Sequence, residues 1–301
     1  MSAPLLTLKV DVDTYRGTRE GVPRLMRALD AARARATFLF SLGPDHTGRA
    51  IRRVFRPGFF AKIQRTSVVE HYGVRTLLYG TLLPGPDIGR RCAAELRACG
   101  AAGHQTGIHT WDHIAWQDNV RRRGADWTAK QMRRAFDRYG EVFGSPPPTH
   151  GAAGWQMNEH ALREELLWGL RYASDGRGVS PFRPLLDGKA IACVQLPTTL
   201  PTMDELIGID GVTGENVDVA LLALTARAPR DHTYTLHAEL EGGRLLPAFE
   251  RLLAGWRSQG YALGTMADAY ARLDAAGVPA GRLSWGAIPG RSGELMVQEP
   301  R

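Results

Sequence analysis

LLTLKVDVDTYRGTREGVPRL, the stretch from Leu5 to Leu25, decides the architecture. Its first eight residues, Leu5–Val12, alternate and are rich in β-formers, which predicts a strand. Thr18 then stands in a capping position, and Arg19–Arg35 carries Leu, Met and Ala at helical spacing. A strand that feeds directly into a helix is the opening unit of an α/β fold.

Outward from that unit the same rhythm recurs. Ala36–Ser41 reads as a buried second strand, and Pro86–Cys99 as a helix ending at Gly100. Further strands are expected at Gln105–His109, Arg171–Ser174, Ile191–Leu196, Thr233–Leu236 and Tyr261–Gly264. Helices are expected at Trp127–Phe143, Asn158–Leu170, Val217–Arg227 and Leu245–Gln259, with a short one near Ala267–Ala275. Alternation of this kind implies a parallel sheet with crossover helices. Seven or eight such units favour a distorted (β/α) barrel over an open sheet, in a single domain spanning 1–301. The tail beyond Gly277 is rich in Gly, Pro and Arg and is expected to be loosely held.

One segment breaks the rhythm. Residues 43–84, after the second strand, are too long for an ordinary connection. From Arg49 to Arg75 this insertion holds seven basic residues and one acid, Glu70, mixed with Val, Phe and Ile.

The chain has 301 residues, of which 44% are hydrophobic and 23% charged, enough for a substantial core in one large α/β domain. The net charge of +7 admits two readings, an anionic partner or a well-solvated arginine-rich surface. Cys92, Cys99 and Cys193 are odd in number in a long chain, which excludes a disulfide scaffold and fits a reducing compartment. Lys9 and Asp11 interrupt the apolar run at the N-terminus, so it reads as a strand and not a signal peptide. No stretch approaches the ~20 apolar residues of a membrane span.

Four groups can carry chemistry. Asp11 and Asp13 are alternate residues of the first strand, so both carboxylates face one side. His109 and His113 stand four apart, a step that converges two imidazoles on one ion if the segment makes a helical turn. Trp111 and Trp116 beside them suit either packing or a sugar-stacking wall. Ser174-Asp175-Gly-Arg177 and Leu236-His237-Ala-Glu239 each follow a strand. Each group alone is bland. All four fall at the C-terminal ends of strands, the face where β/α barrels build active sites. Together they supply the two imidazoles, carboxylates and spare His of a metal-assisted hydrolase.

The pattern resembles the polysaccharide deacetylase (NodB-like) superfamily. Its Asp pair is matched by Asp11 and Asp13, its paired His by His109 and His113, and its Leu-His by Leu236-His237, with Val12 separating an Asp pair that is usually adjacent. Longer strings point to one branch. DVDTYRGTREGVPRL (Asp11–Leu25), HTWDHIAWQ (His109–Gln117), FRPLL (Phe182–Leu186), QLPTTLPTMDE (Gln195–Glu205) and TLHAELEG (Thr235–Gly242) are similar to the 4-deoxy-4-formamido-L-arabinose-phosphoundecaprenol deformylases. The similarity runs from about Val10 to Ala267. It implies metal-dependent removal of a formyl group from a lipid-linked aminoarabinose precursor, within lipid A modification and resistance to cationic antimicrobial peptides. Asp13, His109 and His113 would hold the ion, zinc with Co or Mn also admissible. Asp11 would act as base and His237 as acid, with Asp175 setting the tautomer or charge of His237. The superfamily's Arg-x-Pro motif is missing, since the matching stretch runs Thr149-His150-Gly-Ala-Ala-Gly-Trp155. Arg177, Arg16 or Arg19 is expected to supply that cation, with Trp111 and His150 as further substrate contacts.

An undecaprenyl tail stays in the bilayer, so the resemblance also implies a peripheral protein on the cytoplasmic side of the inner membrane. The insertion offers Arg52, Arg53, Phe55, Arg56, Phe59 and Phe60 for that contact, as two short helices broken at Pro57-Gly58. No nucleic-acid motif is present, and no obligate protein partner is called for. The rival readings are an N-deacetylase of another amino-sugar glycan and an inactive sugar-binding relative.

Overall fold

The computed structural model describes residues 3–50 and 73–300. Its strands run in the order β1 (Leu5–Val12), β2 (Thr37–Ser41), β3 (Gln105–Thr110), β4 (Tyr172–Ala173), β5 (Arg183–Leu186), β6 (Lys189–Ala190), β7 (Val194–Gln195), β8 (His232–His237) and β9 (Ala262–Gly264). All of β1 is buried. Its two faces differ in chemistry because alternate side chains point to opposite sides. Leu6, Leu8, Val10 and Val12 join the main hydrophobic core with Leu25 and Leu29 of the helix Val22–Ala31. Thr7, Lys9 and Asp11 occupy the other face.

A five-stranded parallel sheet runs β3-β2-β1-β8, and β9 pairs with the first residues of β1. Parallel β4 and β7 form a separate ladder. A few backbone hydrogen bonds bridge the gaps. Ile108 and Gly151 exchange with the 149–151 segment and β3, Ser174 N donates to His150 O, and Thr199 N donates to Thr233 O. The ladders alone do not close a barrel. The ring is completed by irregular backbone, which is the distortion expected for this fold class.

Most expected elements are present with shifted ends. The expected helix Arg19–Arg35 begins instead with a π-turn, Gly17–Gly21, and is α-helical only over Val22–Ala31. The helix His113–Asn119 was not anticipated; Asp112 caps it by accepting from Ala115 N at 3.0 Å. The tail beyond Gly277 is not loose. It forms β10 (Ala280–Gly281), β11 (Leu283–Gly286) and β12 (Leu295–Gln298), buries Leu295 and Met296, and exchanges backbone bonds with Arg177. Its Gly and Pro shape turns between short strands. The expected membrane contacts Arg52, Arg53, Phe55, Arg56, Phe59 and Phe60, and the paired helices around Pro57, lie outside the described residues. At the insertion's described edges, His46 Nδ1 meets Asp112 Oδ2 at 2.6 Å and Arg49 Nε donates to Gly80 O at 2.9 Å.

Candidate metal centre and active site

Register brings the site together. Parallel pairing sets Asp11 directly beside His237 and Lys9 beside Thr235, so base and acid candidates are lateral neighbours on one face. On the far side, the β2–β3 register skips His109: Phe40 pairs with Ile108, and Ser41 with Thr110. This bulge re-aims the His109 side chain, a common use of bulges beside active sites.

His109 Nε2 lies 3.2 Å from Asp13 Oδ1, and His113 Nε2 lies 3.3 Å from Asp13 Oδ2. His109 Nδ1 meets the Gly151 carbonyl at 2.7 Å. A carbonyl only accepts, so Nδ1 carries the proton and Nε2 presents its lone pair to the site, the arrangement metal-binding histidines use. Asp13 N and Thr14 N both donate to Glu239 Oε1, at 3.1 and 2.8 Å, which fixes the backbone that carries Asp13. The donor set fits a divalent cation. Two imidazole lone pairs and a carboxylate converge, and their ligand atoms all lie within 4.8 Å of one another.

A buried cation beside Asp11 comes from β1 itself. Lys9 is fully buried, with Nζ 3.6 Å from Asp11 Oδ2 and 3.2 Å from the Ser174 carbonyl. It also sits 5.3 Å from the centre of the Trp155 ring. Burial lowers the Lys9 pKa, and Asp11 and Asp175 oppose that shift. The signal was in the sequence: Lys9 is two residues before Asp11 on the same strand face.

The three arginines expected in that role are placed elsewhere. Arg19 donates to Tyr15 Oη and pairs with Glu95, turned to the outer helices. Arg16 pairs with Glu20 on the π-turn. Arg177 makes two bonds to Glu205, at 2.7 and 2.9 Å, and lies 5.0 Å from the Trp155 ring. Glu205 also pairs with Arg291 of the tail, which stacks on Trp155 at 4.4 Å. Trp155 is buried against His237, ring centres 6.3 Å apart, and its φ of 53° is a left-handed conformation rare for a bulky residue. Trp155, not Trp111, is the tryptophan packed against His237. Trp111 packs under Arg134 and Arg138 and against the backbone of Gly43.

Asp175 does not reach His237. It accepts from Ala152 N at 2.8 Å and Gln195 Nε2 at 2.5 Å, and pairs with His150 at 2.8 Å. Its own N–H donates to Gln195 Oε1, which turns the carboxylate into the barrel wall. Burial works against a charged His237, but Asp204 first, then Asp13, Glu241 and Asp11, raise its pKa. His150 is likewise buried, bonded to Glu165 at 2.7 Å, and supports the site through the backbone that holds His109. His150, Glu165 and Asp175 form a second compact set of ligand atoms, fully enclosed. Sequence reasoning missed Lys9, although it shares a strand face with Asp11, and it missed Trp155, Asp204, Glu205 and Arg291, whose elements meet only in the folded chain.

Among the described residues, buried polar atoms without a hydrogen-bond partner include Asp11 Oδ1, Asp13 Oδ1 and His237 Nδ1. Such atoms are few in folded proteins and mark places where something else binds. Here three belong to the adjacent C-terminal ends of β1 and β8.

No protein-family model matches the chain. A Shewanella sediminis protein named "Probable 4-deoxy-4-formamido-L-arabinose-phosphoundecaprenol deformylase ArnD" is 38% identical over 246 residues, 82% of this chain and 79% of the relative. A Wigglesworthia glossinidia brevipalpis protein of the same name is 30% identical over 284 residues, 94% and 98% of the two chains. A Mycobacterium smegmatis structure described as a polysaccharide deacetylase shares the fold, with TM-score 0.65 over 95% of this chain and 99% of that one, at 17% identity. With such identity across most of both sequences, the chain belongs to the family of 4-deoxy-4-formamido-L-arabinose-phosphoundecaprenol deformylases.

Proposed function

We propose that this chain hydrolyses the formamide of undecaprenyl-phosphate-linked 4-deoxy-4-formamido-L-arabinose, giving formate and the free amino sugar. The observation that carries this reading is the group of unsatisfied polar atoms on Asp11, Asp13 and His237 beside two histidines that face Asp13. The names of the relatives supply the substrate.

Asp13, His109 and His113 would hold a divalent ion, zinc by ligand type with cobalt and manganese also accepted, which supplies carbonyl polarisation and acidified water. Asp11 takes the proton from the attacking water, and Lys9 fixes the direction of its carboxylate. The water oxygen bonds to the formyl carbon, the C–N bond breaks, and His237 delivers a proton to the leaving nitrogen. Trp155 excludes water from the back of His237. His113→Ala tests the metal role. It should lose bound metal and nearly all turnover while its circular dichroism stays native. Normal turnover in that variant after chelation would refute the reading.

The same reading places the protein on the inner face of the membrane. Among the described residues, no helix is long and apolar enough to cross a bilayer. An undecaprenyl tail leaves lipid only at ~0.8 kcal/mol per exposed CH₂, so the enzyme goes to the lipid. Residues 49–79 carry both the apolar and the basic side chains that peripheral docking uses. Replacing Phe59 and Phe60 with Ser should release the protein from anionic vesicles and slow the full lipid substrate more than a short-chain analogue. Equal slowing on both would assign the segment to the core.

A further inference from the structure

Two segments leave the catalytic centre side by side. Asp13 leads into the π-turn and Arg24, and His237 leads into Ala238–Arg244. Between them lies a cavity of about 250 Å³, with Arg16, Arg24 and Arg244 among its lining residues. Glu20, on the same rim, pairs with Arg16 at 3.1 Å. Glu239 also lines the cavity; its Oε1 accepts from Asp13 N, Thr14 N and Thr14 Oγ1, while its Oε2 is buried without a hydrogen-bond partner. Arg24 and Arg244 are exposed at its rim. The floor is glycine because nothing larger fits. A Cβ on Gly21 or Gly242 would lie 2.0 or 2.4 Å from the Ala238 carbonyl oxygen. A π-helical turn is rare and occurs frequently at functional sites.

We propose that this cavity is the subsite for the phosphate of the substrate. The inference rests on the proposed function, which supplies one phosphate on the far side of the sugar ring from the formamide. Guanidinium forks match phosphate oxygens and bind them in pairs. The cavity is smaller than the ~300–1,000 Å³ of a pocket for a whole small molecule, so it takes the headgroup phosphate and leaves the lipid tail outside. Glu239 joins the two sites, touching the Asp13 backbone on one side and lining the cavity on the other. A sugar lying across it has its formamide at Asp13 and its phosphate among the arginines.

The test uses a soluble short-chain prenyl phosphate of formamido-arabinose and the matching methyl glycoside, without lipid. Wild type and Arg24→Gln/Arg244→Gln are compared by the ratio of kcat/KM on the two substrates, with metal content and Tm as controls. The double variant should lower that ratio by at least about tenfold, the loss expected for charge-assisted hydrogen bonds. An unchanged ratio overturns the proposal. Should wild type cleave neither substrate, the deformylase reading itself fails, and calorimetry with inorganic phosphate decides the subsite. Binding by wild type and loss in the variant supports it, whereas equal binding refutes it. Loss of anionic-vesicle binding with an unchanged substrate ratio would make these arginines a membrane contact and also overturn it.

Discussion

Lys9→Met removes one ammonium and keeps a side chain of similar length. The pair it breaks is fully enclosed, with Lys9 Nζ 3.6 Å from Asp11 Oδ2. At an effective dielectric of ~20 the lost attraction is about 4–5 kcal/mol. Removing the ammonium also removes its own burial cost, so the net loss should fall at the low end of the ~3–5 kcal/mol seen when a buried pair loses one partner. For a chain of this size ~1 kcal/mol shifts Tm by ~2–4 °C, which gives a drop of roughly 6–12 °C. Turnover should fall by ~10²-fold or more, because the carboxylate loses the group that aims it. Bound metal should be unchanged, since Lys9 is not among the converging ligands. Lys9→Arg keeps the charge and should retain at least about tenfold more turnover than Lys9→Met. Thermal melting, metal analysis and formate release from one preparation make the assay. Wild-type turnover and Tm in Lys9→Met would refute the claim that Lys9 aims the Asp11 carboxylate.

Three further outcomes are expected. Asp11→Asn and His237→Ala should each keep the metal and lose ~10²–10⁴ in turnover; metal loss in Asp11→Asn would make Asp11 a ligand. Arg291→Ala removes the tail's cation from Trp155 and Glu205. At ~0.5–2 kcal/mol for such a contact, kcat/KM should fall by about twofold to thirtyfold, and unchanged kinetics would show the tail to be uninvolved. In the enclosed cluster, burial and Asp175 push Glu165 up to about 8, while Asp175 and Glu165 outweigh burial and lift His150 to about 10. Both folded values exceed the ordinary ones of 4.5 and 6.5, so the native state binds more protons and stability is lost as pH rises through about 8 and then about 10. Glu165→Gln should keep neutral-pH stability and flatten the decline below pH 8, as urea melts across pH would read; an unchanged slope would contradict the protonated carboxyl.

The alternation of β1 made the α/β fold legible, since a buried strand leading into a helix leaves few other architectures. The convergence of Asp13, His109 and His113 was partly legible: Asp13 follows β1, but the four-residue step from His109 on β3 crosses a bulge to His113, the first residue of a helix capped by Asp112, so a strand-to-helix bend and not a helical turn brings the two imidazoles to Asp13. The partner of His237 was not. Asp175 and Asp204 both follow short irregular segments, and only the β4–β7 pairing shows that Asp175 turns to Gln195 and His150. The tail misled because glycine and proline mark a loose end and a set of tight strand connections equally well. Lys9 was visible as a break in an apolar run, yet its role depends on the Ser174 carbonyl and Trp155, which arrive from distant parts of the chain.

The most direct test of the central claim is mass spectrometry of undecaprenyl-phosphate formamido-arabinose incubated with the protein, with and without a chelator. The account predicts conversion to the free amine with release of an equal amount of formate, abolished by the chelator and restored by added zinc. An intact formamide in the metal-loaded sample, or conversion that persists after chelation, would contradict it.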